Sequence, residues 1–404
     1  FWYSTSIMNT VIITDKMLHG GMAAGKIDGK TIFVEGALPQ EEVSVHIVHE
    51  KKDYSTASID AILTPSPHRI EPVCPLYGIC GGCNMMHADD AYQQILRVSI
   101  LENAFKREGL EFPIELVSGK TLGYRNRYQF ESNGLKGAKS STIVPIPHCP
   151  VADKTVNDFL CSEKIPGKVK VFGSSSIINA DKGYVFAHEV EKIIKEPQML
   201  RGKKIKSGGK RKIYEGTTIQ ETQEVKILLQ GKEIVFNVLG FFQSNIEMLE
   251  KTTQLIRTHL PNGLNVLDMY GGAGTLSSLC AEKAKHVTLV EHNRDAVVYA
   301  EKNLASLPHS SWGLSGSQWI KTAVQKKFEA VIIDPPRSGM EKDVREYLAH
   351  SSIPIILSLS CDPVTQARDC AVLVKNGYTI EKLYALDYYP QTSHIESLAI
   401  CIKN

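Results

Sequence analysis

The chain has 404 residues, of which 43% are hydrophobic and 22% charged, and its net charge is +2. That length holds two or three domains of ordinary size, and the composition is that of a globular protein. No stretch reaches the roughly 18 uncharged apolar residues of a membrane span, and so small a net charge does not by itself imply a polyanionic partner.

The first residues, FWYSTSIMNT, carry neither the basic nor the apolar region of a secretory leader. The nine cysteines are odd in number and partly clustered, which points to a reducing compartment and to metal or catalytic uses. A cytoplasmic, monomeric protein without membrane attachment is expected.

Residues 9–63 carry short runs of alternating apolar and polar residues, TVIIT, KTIFVEGAL, EVSVHIVHE and STASIDAIL, with HGGMAAGKIDGK as punctuation. Strands and turns at this spacing predict a small antiparallel barrel. TPSPHR, at 64–69, reads as a linker. A helix is predicted near 88–108, then mixed strand and loop over 122–236, with VKVFG, YVFAHEV and VKILLQ as strands. In that stretch Lys195–Lys212 holds eight Lys or Arg against one Glu. It reads as a solvated loop or as a phosphate-contacting one.

From 237 onward the apolar segments LNVLDMY, HVTLVEHN, FEAVIIDPP and IPIILSLSCD alternate with helical segments at 246–259, 294–305 and 363–375. Such alternation predicts an α/β fold, a parallel sheet with crossover helices whose ligands bind beyond the carboxyl ends of the strands. The expected division is a barrel over 1–65, a mixed α+β central domain over 66–236 and the α/β domain over 237–404.

NVLDMYGGAGTLS, at 265–277, is a strand, an acidic residue and a glycine-rich turn leading into a helix. The turn lets a ligand approach the backbone, and the helix start favours negative charge. Glu291, about twenty residues on, can accept hydrogen bonds from ribose hydroxyls. Gly271-Gly272-Ala273-Gly274 does not supply the G-x-G-x-x-G of a dinucleotide site. The pattern resembles the Rossmann-like class I S-adenosylmethionine methyltransferases instead.

In VIIDPPRSGM, Arg337 stands where methyltransferases acting on amines carry a stacking aromatic residue. That substitution argues against amine methylation, and Asp334 offers an acceptor to an N–H on a pyrimidine edge. Cys361 lies where an apolar run stops, and Glu396 precedes another apolar run. A thiolate, a carboxylate and a methyl donor suit methylation of uracil carbon 5. Thiolate addition at carbon 6 makes carbon 5 nucleophilic, and a base then removes the carbon-5 proton.

CPLYGICGGC supplies Cys74, Cys80 and Cys83, and PIPHCPV supplies Cys149. Four thiolates hold either zinc or an iron–sulfur cluster. Cys161, Cys280, Cys370 and Cys401 sit in apolar surroundings and read as filling.

Taken together, GFFQSN, LDMYGGAGT, DPPRSG, SLSCDPVTQARD and YYPQTSHIES resemble the RNA (uracil-C5)-methyltransferase family. The amino terminus resembles the TRAM domain, an OB-like RNA-binding barrel of that family's ribosomal RNA enzymes. The resemblance implies that Cys361 is the nucleophile and Glu396 the base. It places Gln243, Tyr270, Thr275, Glu291, Ser317 and Asp334 among the cofactor contacts, Gln243 and Asp334 also lying beside the uracil. Ser317 stands where the family often has an acidic residue against adenine. The four-cysteine spacing implies a [4Fe-4S] cluster on Cys74, Cys80, Cys83 and Cys149, with zinc the alternative. The implied substrate is an unstacked uridine in RNA, ribosomal RNA ahead of transfer RNA. The rival reading is an RNA-binding TRAM protein without catalysis.

Overall fold

A computed structural model of the chain describes residues 10–192, 199–200, 203–204, 211–215, 223–322 and 327–404. Most of the basic segment Lys195–Lys212 lies outside the described residues.

Strands β1 (Thr10–Met17), β2 (Met22–Ile27), β3 (Lys30–Glu35), β4 (Glu42–Glu50) and β5 (Tyr54–Thr64) close a barrel in the order β1-β2-β3-β5-β4. The alternation turns Ile12, Ile32, Val34, Val43 and Val45 into its interior. Two features depart from expectation. HGGMAAGKIDGK contains β2, whose Ala23 and Ala24 are buried. A Cβ on Gly25 would stand 2.7 Å from the Ile13 carbonyl oxygen, so small residues there are a packing requirement. The barrel is also not wholly antiparallel, because β3 pairs with β5 in parallel.

Helix α1 (Asp90–Arg107) begins at Asp89, whose side chain accepts the Tyr92 N–H, and β6 (Ile114–Val117) follows. Next come β7 (Arg127–Glu131), β8 (Gly134–Lys136), β9 (Ile143–Pro145), α2 (Lys154–Ser162), β10 (Lys168–Gly173) and β11 (Tyr184–Lys192). After them lie β12 (Met199–Leu200), β13 (Lys203–Lys204), β14 (Arg211–Glu215), β15 (Glu224–Leu229) and β16 (Lys232–Asn237). One sheet runs β14-β11-β10-β7-β8-β9, while β12–β13 and β15–β16 form separate pairs. Helix α2 buries Val156, Phe159 and Leu160. Cys161 is exposed rather than filling, because the residue after Leu160 turns about 100° away from that buried face.

The remaining elements are α3 (Ile246–His259), β17 (Asn265–Met269), α4 (Thr275–Cys280), β18 (His286–Val290), α5 (Arg294–Asn303), β19 (His309–Trp312) and α6 (Gly316–Ile320). They continue with β20 (Ala330–Ile333), α7 (Lys342–His350), β21 (Ile355–Ser360), α8 (Pro363–Lys375), β22 (Tyr378–Leu386) and β23 (Glu396–Lys403). The sheet order is β19-β18-β17-β20-β21-β23-β22-β6. Its first five strands are parallel, and β23 runs antiparallel to both its neighbours. Both faces are covered. Val266, Ile332, Leu357 and Ile400 pack on one side, and Leu267, Val331, Ile356 and Ala399 on the other. Strand β6 comes from the segment expected to be central, yet it completes this sheet, and α1 packs on α8.

The strand order reverses between β17 and β20. In open α/β sheets a crevice for ligands forms there, beyond the carboxyl ends of the strands. Among the described residues no helix is long and apolar enough to cross a membrane.

Candidate active site

Beyond β17 the chain enters the glycine-rich turn. Tyr270, Gly272 and Gly274 take φ values of 63°, 54° and 71°. Gly271 is required by crowding: a Cβ would stand 2.8 Å from the Leu289 side chain and 2.9 Å from the Asp268 carboxyl carbon. Glu291, buried at the end of β18, accepts the Gly272 N–H at 3.1 Å and the Asn293 N–H at 2.7 Å. It therefore ties the turn to the next strand. Asp268 lies beneath the turn and accepts a hydrogen bond from the Ser277 hydroxyl. Burial pushes its carboxyl up to about 7; Asp334 and Glu291 add to this, and the Ser277 bond opposes it.

Thr275 opens α4 and is partly buried. The Gln243 Oε1 atom is buried with no hydrogen-bond partner among the described residues. An acceptor left so costs about 1–3 kcal/mol, which a ligand N–H would recover. Ser317 sits in α6, and its N–H donates to Glu341 Oε2 at 2.6 Å. The Glu341 N–H in turn donates to the Tyr270 hydroxyl at 3.1 Å. Glu341 thus brings a carboxylate beside Ser317, where the chain's own sequence has none. Sequence reasoning missed it because the two residues are 24 positions apart.

The chemical end lies on the same edge of the sheet. Asp334 follows β20, Cys361 follows β21 and Glu396 opens β23. These strands are neighbours, with Ile333 beside Ser358 and Ser360 beside Ser397. Cys361 is held from both sides. Ser360 Oγ accepts the Asp362 N–H at 3.1 Å, and Asp362 caps α8 by accepting the Val364 and Thr365 N–H groups at 3.0 and 2.9 Å.

Burial pushes the Cys361 thiol up to about 11, with Glu396 and Asp334 adding and Arg337 opposing. Glu396 is buried, and burial holds its carboxyl well above the usual range; Asp334 adds and Arg337 opposes. Burial also lifts Asp334 to about 6. Asp334 and Arg337 therefore both bear on Cys361 and Glu396, and the four form one cluster at this edge.

His394 joins this cluster, although its motif alone did not single it out. Its Nδ1 stands 3.4 Å from Arg337 Nη2. His394 still reaches solvent, and partial burial, with Arg337, Arg125 and His19 adding, pushes the imidazole down.

Away from that edge, Cys74, Cys80, Cys83 and Cys149 line one cavity of about 550 Å³ together with Tyr124, Arg125 and Tyr128. The Tyr128 hydroxyl lies 3.3 Å from Cys149 Sγ. Burial pushes Cys83 up to about 12; the other three thiols add and Arg125 opposes. Among the described residues no group of three His, Cys, Asp or Glu side chains is already drawn together around a metal position. Four free thiols on one cavity beside a guanidinium nevertheless fit a soft, anionic thiolate-bound centre.

Residues 235–352 match the methyltransferase small domain family, 321–404 the tRNA (uracil-5-)-methyltransferase family and 9–59 the TRAM domain. A Treponema denticola protein described as an "uncharacterized RNA methyltransferase" is 37% identical over 98% of this chain and 99% of its own length. A "23S rRNA (uracil(1939)-C(5))-methyltransferase RlmD" of Aliivibrio fischeri is 28% identical over 95% of this chain and 93% of its own. The structure of the Pyrococcus abyssi tRNA (uracil-54, C5)-methyltransferase in complex with S-adenosyl-L-homocysteine matches with a TM-score of 0.71 at 22% identity. It covers 97% of this chain and 100% of that one.

Fold and site define a class I S-adenosylmethionine-dependent methyltransferase carrying a TRAM barrel. More narrowly, the chain belongs to the RNA (uracil-C5)-methyltransferase family, enzymes that methylate carbon 5 of uridine in RNA.

Proposed function

We propose that this enzyme methylates a uridine of 23S ribosomal RNA through a covalent adduct with Cys361. The observation that carries the reading is the meeting of Cys361, Glu396 and Asp334 at one sheet edge beside the glycine-rich turn. Asp334 accepts the uracil N–H, and the Cys361 thiolate adds to carbon 6. S-adenosylmethionine supplies an electrophilic methyl group on a sulfonium. Once carbon 5 carries the methyl, Glu396 takes the carbon-5 proton, the carbon–sulfur bond breaks and Cys361 leaves. The raised affinity of Glu396 for a proton suits a base.

Gln243, Tyr270, Thr275, Glu291 and Ser317 hold the methyl donor in this reading, Gln243 also facing the base. The Asp334 and Glu291 carboxylates, which together with burial raise Asp268, suit a cationic sulfonium. Cys74, Cys80, Cys83 and Cys149 hold a [4Fe-4S] cluster, zinc being the alternative, and that centre would crosslink the segment it binds. The barrel over 1–65 and the central part over 66–236 present RNA to the catalytic part over 237–404. The enzyme acts as a cytoplasmic monomer, a setting that nine unpaired thiols suit.

Relatives named for 23S ribosomal RNA, matched over nearly their whole length, support ribosomal over transfer RNA. The test is to map 5-methyluridine in RNA from a strain lacking the protein, and to assay methyl incorporation with the purified chain. Loss of one ribosomal position supports the reading. Loss confined to transfer RNA overturns the substrate, and an absence of methyl transfer would leave only RNA binding.

A further inference from the structure

The turn joining β1 and β2 is tightly closed: Leu18 N–H donates to the Met22 carbonyl at 2.9 Å and Gly21 N–H to the Leu18 carbonyl at 3.0 Å. Its tip does not face solvent alone. His19 Nε2 stands 3.6 Å from Asp362 Oδ2, the residue after Cys361. The other Asp362 oxygen is occupied by the α8 cap. On the same turn, the Gly20 carbonyl accepts from Asn84 Nδ2 at 3.2 Å. Asn84 also grips Ser393, donating to its hydroxyl at 2.9 Å and accepting its N–H at 2.8 Å.

Gly21 is what permits this approach. At φ +83° a Cβ there would stand 2.6 Å from Asn84 Nδ2 and 3.0 Å from Ser393 Cβ. Beneath the turn, Met17 and Leu38 of the barrel pack with Met85, Leu96, Ile100 and Ile395 in one buried cluster. Ile395 directly precedes Glu396. The barrel therefore touches the chain neighbours of both residues assigned to the chemistry.

A module that only brought RNA nearby would need a tether and no more. Here buried contacts set the barrel in fixed register with the strand ends, and reaction rates depend on sub-ångström placement. We propose that the first barrel turn is a wall of the catalytic site, and that His19 is a positioning residue holding Asp362, and through it Cys361, for attack. This rests on Cys361 being the nucleophile.

The experiment uses the full chain with RNA and S-adenosylmethionine. His19 is 38% exposed, so His19→Ala should melt at the wild-type temperature. Its single-turnover methylation rate at saturating RNA should fall about tenfold, with RNA and donor affinities within about twofold of wild type. His19→Gln, whose amide nitrogen can stand where Nε2 stands, should recover most of the rate. A wild-type rate for His19→Ala overturns the proposal. So does a defect that vanishes at saturating RNA, which would make His19 an RNA contact. Cys361→Ala serves as the control: if it still turns over, the nucleophile assignment fails and not the junction.

Discussion

Glu396→Gln separates the two halves of the proposed reaction. The substitution keeps the shape of the side chain and removes a charge that, after burial itself, does most to hold the Cys361 thiol at about 11 instead of 9.0. Losing a neighbouring negative charge lowers a thiol's pKa, so the variant should hold more thiolate at a given pH. At pH 9 a thiol titrating at about 11 is ionised in about one molecule in a hundred; the first unit recovered raises that fraction nearly tenfold. The comparison belongs at alkaline pH because the Glu396 carboxyl is itself held above its usual range. Alkylation of Cys361 by iodoacetamide, read on its own peptide by mass spectrometry, should therefore quicken by up to about tenfold. With RNA and labelled methyl donor the consequence reverses. Addition and methyl transfer proceed, the carbon-5 proton stays, and turnover should drop by at least about a hundredfold. A labelled protein–RNA adduct should then persist on a denaturing gel and vanish in the Cys361→Ala, Glu396→Gln double variant. Normal turnover by Glu396→Gln, or an adduct that survives loss of Cys361, would refute both roles.

Gly271→Ala puts a Cβ against Leu289 and the Asp268 carboxyl, so calorimetry should show donor affinity reduced by about tenfold or more while RNA binding holds. Cys83→Ser should cost the anaerobically purified protein its brown colour, roughly a broad band near 400 nm for a thiolate-bound cluster; a colourless wild type with about one zinc per chain would refute the iron assignment. Neutralising Lys203, Lys204 and Arg211 should flatten the salt dependence of RNA binding by about one unit per lost phosphate contact. An unchanged slope would return that segment to a solvated loop.

Much of the fold was legible because its signals are local. Helices α3 and α8 occupy the predicted spans 246–259 and 363–375, and in the structure Asn245 and Asp362 cap them. Four of the five parallel strands were visible as apolar runs because both their faces are covered; the fifth, β19, is the half-buried HSSW at the sheet edge. Strand β2 was hidden by its composition: Ala23, Ala24 and Gly25 look like turn residues until the narrow space beside β1 is known. Strand β6 was hidden by length and by partner. Its four residues pair with β22, more than 260 positions later, and no local pattern announces such a pairing.

The same division holds at the site. Cys361, Asp334 and Glu396 could be named from sequence because each ends or begins an apolar strand, and a parallel sheet brings such ends to one edge. What could not be read is how their surroundings hold them. Residues 391 and 393, just ahead of Glu396, are gripped by Asn84 and Met85, which follow Cys83 directly. Glu341 reaches Ser317 from the cap of α7, and His19 reaches Asp362 from the barrel. These partners lie tens to hundreds of residues apart, and each contact exists only after the sheet, the barrel and the cysteine segment have packed. A carbon-5 methylation needs a thiol, a base and a methyl donor, and motifs can carry those three. In the proposed reaction they must also be held together, in a site whose burial raises the Cys361 thiol and the Glu396 carboxyl. That second requirement falls to the long-range contacts, which is why the segment after the cysteines and the first turn of the barrel both end at the catalytic strand ends.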